Sequence, residues 1–128
     1  MAVHRVSSPS PYAAVIGFSS AVRAGDWVVV AGTSAVDGAG DVVGEDDAYT
    51  QAREVLRKIA AALAGAGADL TQVVQTRVYL SRRQDWQDVA RAHGEAFAAH
   101  PPAAAFLVVG LLDPRMLVEI EAVAFTGP

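Results

Sequence analysis

The sequence predicts an α+β fold, β-β-α-β-α-β-β, with two helices on one face of a mixed sheet. Three observations carry that prediction. Apolar residues recur at helical spacing in two stretches, residues 46–64 and 84–99. Short β-branched or alternating segments lie around and between them, at residues 19–22, 27–31, 73–80, 106–109 and 117–125. Two helices can cover only one face of such a sheet, which is a layered α+β arrangement.

Size and composition fit that reading. A chain of 128 residues, 52% of them apolar, suits one compact domain over 1–128 and excludes global disorder. The net charge of −4, with no basic run, argues against nucleic acid and against an anionic membrane surface. There is no cysteine, hence no disulfide framework, no thiolate metal site and no cysteine nucleophile. The first residues lack the apolar core of a signal peptide, and no stretch reaches the roughly 18 apolar residues of a membrane span. A soluble cytoplasmic protein is the expectation.

Taken in order, residues 7–11 are turn material with two prolines. A short strand then enters the tight turn Ala24-Gly25-Asp26, and a β-branched strand from Trp27 stops at Gly32. A glycine-rich loop follows, with a small hairpin around Asp37-Gly38. Asp46 or Asp47 caps the first helix. Its inward positions are Ala48, Ala52, Val55, Leu56, Ile59 and Leu63, with Arg53, Glu54, Arg57 and Lys58 outward. Gly65 and Gly67 end it. The next strand places Val74, Thr76, Val78 and Leu80 on one face, and Val73, Gln75, Arg77 and Tyr79 on the other. In the second helix, Trp86, Val89, Ala90, His93, Ala96 and Phe97 point inward, and His100-Pro101-Pro102 stops it.

The final strand is the most informative. With a side-chain period of two, Val118, Ile120, Ala122 and Ala124 form a wholly apolar face, while Leu117, Glu119, Glu121, Val123 and Phe125 share the other. The second face of the sheet thus carries Arg77, Tyr79, Glu119 and Glu121 among aliphatic residues. It is too apolar to be wet and too polar for a dry core. Packing against other copies of the chain resolves this, so a closed homo-oligomer with polar groups at its junctions is expected.

Two patches carry a family resemblance. One reads Pro102-Ala103-Ala104-Ala105-Phe106-Leu107, then Gly110-Leu111-Leu112, then Val118-Glu119-Ile120. The other reads Gly17-Phe18-Ser19-Ser20-Ala21-Val22, with Gly25 and then Ala31-Gly32. Together with length and element order, the chain resembles the Rid (YjgF, reactive-intermediate deaminase) family over nearly its whole extent. That resemblance implies a chorismate-mutase-like domain assembled as a homotrimer, with clefts between subunits. In deaminating members these clefts hydrolyse 2-imino or 2-enamino acids to 2-keto acids and ammonia, without metal or cofactor. Glu119 matches the carboxylate that positions or activates water. Phe18 matches the ring that stacks on the ligand, often a tyrosine in deaminating members, and Ala31 falls where many carry a serine. Ala104, with Ala105 beside it on the ligand-binding segment, stands where the family arginine clamps the substrate carboxylate.

That last departure has a chemical consequence. Imine hydrolysis needs a positioned water, a proton for nitrogen and a hold on the substrate. Glu119 can supply the first two if burial raises its pKa toward neutrality. Loss of a bidentate guanidinium contact costs on the order of 2–5 kcal/mol, roughly 30- to 4000-fold in transition-state binding. The expected ligand is therefore a smaller, neutral or less acidic carbonyl, imine or enamine compound, with Arg77, Arg91 or Arg115 as candidate substitutes for the missing charge. The alternative is a non-catalytic small-molecule-binding or interaction trimer. Ribonuclease activity, known in some relatives, is disfavoured by the acidic balance. His93-Gly94-Glu95 looks like the His-x-Glu of zinc deaminases but lacks their cysteines, so no metal is expected. Glu121 is assigned a structural role, paired across the oligomer with Arg77 as a candidate partner, and Trp86 is assigned to the core.

Overall fold

The computed structural model describes residues 2–128. Its strands are β1 (Val3–Val6), β2 (Ala21–Ala24), β3 (Trp27–Ser34), β4 (Val73–Leu80), β5 (Ala103–Val108) and β6 (Val118–Phe125). They form one sheet in the order β1-β2-β3-β6-β4-β5. Only β4 and β5 run parallel, across the crossover that contains a helix. The helices are a single turn, α1 (Ala13–Ile16), and two longer ones, α2 (Ala48–Gly65) and α3 (Trp86–Phe97). No helix among the described residues is long and apolar enough to cross a membrane.

The expected layering is present. Asp47 caps α2, accepting from the Thr50 backbone N–H at 3.0 Å. At the other end Gly67, at φ 77°, turns the chain so that Ala68 donates back to Leu63 at 2.8 Å. Val55, Ile59 and Leu63 are fully buried against Val28, Val30, Ile120 and Ala124, the inward positions of β3 and β6. On the helix side of β4, Thr76 meets His93 of α3 at 2.9 Å. Gln51 is the polar element in this core. It donates to the carbonyls of Gly44 and Arg115 and accepts from the buried N–H of Leu117, tying α2 to the segment entering β6.

Several boundaries differ from the sequence-based expectation. β1 was not foreseen, because His4 and Arg5 break any apolar alternation in an exposed edge strand; α1 buries none of its residues. β2 runs two residues later than expected, and β5 begins at Ala103 rather than Phe106. In β4 the faces of Val73 and Val74 are exchanged: Val73 is buried and Val74 is 44% exposed. A β-bulge there sets Val73 opposite Ala124 and Gln75 opposite Val123, so Val74 is an extra residue squeezed outward. Trp86 is 49% exposed and does not belong to the core. It is the first residue of α3, and helical side chains lean toward the N-terminus, so its ring passes beyond the helix end. Ala92 takes a buried position instead.

The face of the sheet away from the helices stays uncovered within one chain. Trp27 and Phe125 pack there with tilted rings, centroids 4.8 Å apart, and Val29 is half exposed. The edge strand β5 is exposed along its whole length, Phe106, Leu107 and Val108 included.

Candidate functional site

The site begins with an irregularity in β3. Its register against β6 runs from Val30 opposite Ala122 to Thr33 opposite Ile120, so Ala31 and Gly32 together face the single position of Glu121. Such a bulge bends a strand and re-aims its neighbours. It is held by the Ala31 N–H donating to Ser20 at 3.0 Å and by the Thr33 hydroxyl donating to the Ala31 carbonyl at 2.7 Å.

Glu119 exploits the bend. It pairs in register with Ser34, yet its carboxylate lies over Gly32. A Cβ placed on Gly32 would sit 2.6 Å from Glu119 Oε2, so only glycine leaves room for this carboxylate. Half-burial pushes the Glu119 pKa up, with the nearby charge of Glu121 adding to it. None of the described residues donates a hydrogen bond to its carboxylate, and a carboxylate without donors on a cavity wall is available to a ligand or a water. Glu121 is engaged instead: it accepts from the Tyr79 hydroxyl, and Arg77 approaches it at 3.4 Å within the same chain.

Phe18, Ala31, Gly32 and Glu119 line one cavity of about 560 Å³, a volume typical of small-molecule sites. Three of the five sequence-proposed site residues therefore converge. Ala104 and Ala105 do not join them. They lie exposed on β5, opposite Thr76 and Arg77, with β4 and β6 between them and β3. The three candidate arginines also lie outside the cavity lining. Arg115 is bound to Asp113 at 2.8 Å and to the Gly40 carbonyl at 3.0 Å, and that guanidinium holds the Asp113 pKa down to about 2. Arg91 sits 3.7 Å from the centroid of the Tyr49 ring, and Arg77 is paired as above.

The cavity has cations that the sequence reading placed outward. Lys58 is half-buried on its wall and donates to the carbonyls of Ser34 at 2.6 Å and Val36 at 2.8 Å. Arg57 also reaches the lining, chelated to Glu54 by two contacts of 2.7 and 2.6 Å. Helical periodicity alone could not find Lys58, because its long stem covers apolar surface while its head reaches the end of β3. His93 is a packing residue, its ring between Phe97 and Phe106. Among the described residues no group of three metal-ligating side chains occurs.

A family model described as endoribonuclease L-PSP matches residues 8–126. The chain belongs to this family, the Rid or YjgF family. Its fold is accordingly the chorismate-mutase-like fold of YjgF proteins. The chain is 42% identical to the protein SCO2049 of Streptomyces coelicolor, over 98% of this chain and 94% of that one. It is 33% identical to the 3-aminoacrylate deaminase RutC of Acinetobacter baylyi, over 91% and 90% of the two chains. The crystal structure of Rv2704 from Mycobacterium tuberculosis, a member of the YjgF/YER057c/UK114 family, superposes with a TM-score of 0.87 at 40% identity, covering 97% and 99% of the chains. The Acinetobacter relative is, by its name, a deaminase of 3-aminoacrylate.

Proposed function

We propose that this chain forms a Rid-type homotrimer whose clefts bind a small carbonyl, imine or enamine compound and hydrolyse a C=N bond. The carrying observation is the carboxylate of Glu119, half-buried, free of donors and laid over Gly32 in the cavity shared with Phe18 and Ala31. A raised pKa suits a group that must both take and give a proton near neutrality. Glu119 orients a water against the imine carbon and receives its proton as the C–O bond forms. It passes that proton to nitrogen to give a carbinolamine, then takes the carbinolamine hydroxyl proton and delivers it to nitrogen as well, so that the C–N bond breaks, the C=O bond forms, and a carbonyl product and ammonia leave.

Assembly follows from the uncovered surfaces. The exposed β5 and the half-exposed Trp27, Val29 and Val74 supply apolar area that a monomer leaves wet. A neighbouring subunit's β5, with Ala104 and Ala105, then closes the open side of the cavity. With alanine at the arginine position, that wall offers no charge, and 2-imino acids are not the preferred substrates. The net charge of −4 likewise supports a small-molecule site over RNA.

The test is ammonia release from a panel of neutral imines and enamines by the natural protein and by Glu119→Gln. A hydrolase loses turnover in the variant by at least about 100-fold while its oligomer persists. Turnover unchanged by Glu119→Gln refutes the mechanism. Ligand-dependent melting shifts without product on any compound support instead a non-catalytic binding trimer.

A further inference from the structure

We infer that the cavity selects a cation: an amine or a protonated imine without a carboxylate, its positive nitrogen held at Glu119. This rests on the Glu119 cleft described above and deepens it to a substrate class.

The charges of the lining divide into two sets that do not act on each other. The first set balances itself. Arg57 grips both oxygens of Glu54. Lys58 is fixed on the carbonyls of Ser34 and Val36, and the acids acting on it are Glu54 and Asp37. Two cations thus face two carboxylates, and an incoming ion of either sign finds them already matched. The second set is Glu119 alone. The one charge acting on it is another carboxylate, Glu121, and neither Arg57 nor Lys58 influences it. Glu121 is itself engaged, by the Tyr79 hydroxyl and by Arg77 at 3.4 Å. Among the described residues, Glu119 is therefore the one carboxylate of the lining on which no cation acts.

What such a carboxylate lacks is a positive partner. Burial puts its charged form at a disadvantage, and a cation beside it removes that disadvantage. Its oxygens accept no hydrogen bond from the described residues, and they are not sealed among the buried atoms, so a donor entering the cavity can reach them. The N–H of an ammonium or iminium is a charge-assisted donor, about twice as strong as a neutral one. A carboxylate on the ligand would bring the wrong sign to the same place. The strand proposed to close the cavity, β5, carries no charged residue along its 6 positions to hold one. The chain's net charge of −4 also draws cations rather than anions toward it. For the body of the ligand the wall is apolar, with Val6, Pro9, Ile16, Phe18 and Leu112 lining the same cavity.

The test is isothermal titration calorimetry at a pH of about 8 with three ligands built on one ring: benzylamine, benzyl alcohol and benzoate. At that pH the amine is protonated and carboxylates are ionised. The natural protein binds the amine more tightly than the alcohol by about tenfold to a hundredfold, the scale of a hydrogen bond to a charged group. Benzoate binds most weakly. Glu119→Gln keeps the shape of the side chain without its charge, and binds amine and alcohol alike. Gly32→Ala pushes the carboxylate aside and loses the preference too, which serves if Glu119→Gln fails to fold. Equal binding of amine and alcohol by the natural protein, tightest binding of benzoate, binding of none, or a preference that survives either substitution overturns the inference. Binding needs no turnover. A protein that prefers benzylamine through Glu119 yet hydrolyses no imine refutes the hydrolytic reading alone, and an enzyme that releases ammonia without the preference refutes only this one.

Discussion

At the scale of single residues, the site depends on one carboxylate and the glycine beneath it. Glu119 has its pKa raised by burial, so the folded state favours the protonated acid. A raised folded-state value contributes stability that is fully present below the unfolded pKa of 4.5 and is lost as pH rises through the folded value. Glu119→Gln should therefore melt above the natural protein in mildly alkaline buffer and together with it in acid below 4.5; differential scanning calorimetry across pH checks this. Gly32→Ala should displace the carboxylate that now occupies the space of the new methyl. Turnover should fall by about 100-fold, the scale of a catalytic group misplaced by an ångström, with Tm changed far less. That Glu119 and Phe18 share one cavity was legible because their places along the chain match a family pattern. The place of Lys58 on the cavity wall was not: period counting sorts residues by the direction of Cβ, and a lysine head lies several bonds beyond that.

At the scale of elements, the strands and helices were readable wherever period and punctuation agreed. β4 and α2 fall almost where alternation, Asp47 and the terminal glycines put them. One of the misses has a cause in the register. A bulge shifts register by one residue, and alternation read through it inverts, as at Val73 and Val74. The bulge at Ala31 and Gly32 was equally invisible, yet its Gly32 lies beneath the Glu119 carboxylate. Gln51 offers a test at this scale. Gln51→Leu strands the buried Leu117 N–H and two carbonyls, and the first of these alone costs about 1–3 kcal/mol. Urea unfolding should show that loss with an unchanged slope.

At the scale of the whole molecule, the sheet has a covered face and an uncovered one, and the cavity has a wall that one chain leaves open. The sequence announced the first fact, through acids alternating with aliphatic residues on the final strand. It could not show which surfaces meet. If β5 is the seam, Leu107→Glu should weaken assembly roughly ten- to a hundredfold, since burying a leucine is worth about 1.5–3 kcal/mol. Sedimentation velocity over a concentration series would register the shift to monomer.

The claim that the cleft keeps its carboxylate at Glu119 but has alanine, Ala104, in place of the family arginine is tested most directly by one substrate. Ammonia release from freshly generated 2-iminopropionate should be measured for the natural protein and for Ala104→Arg at matched concentrations. The natural protein should be inactive and the variant should gain activity, because the carboxylate beside the imine carbon finds its clamp only in the variant. Activity in the natural protein, or silence in both, would contradict it.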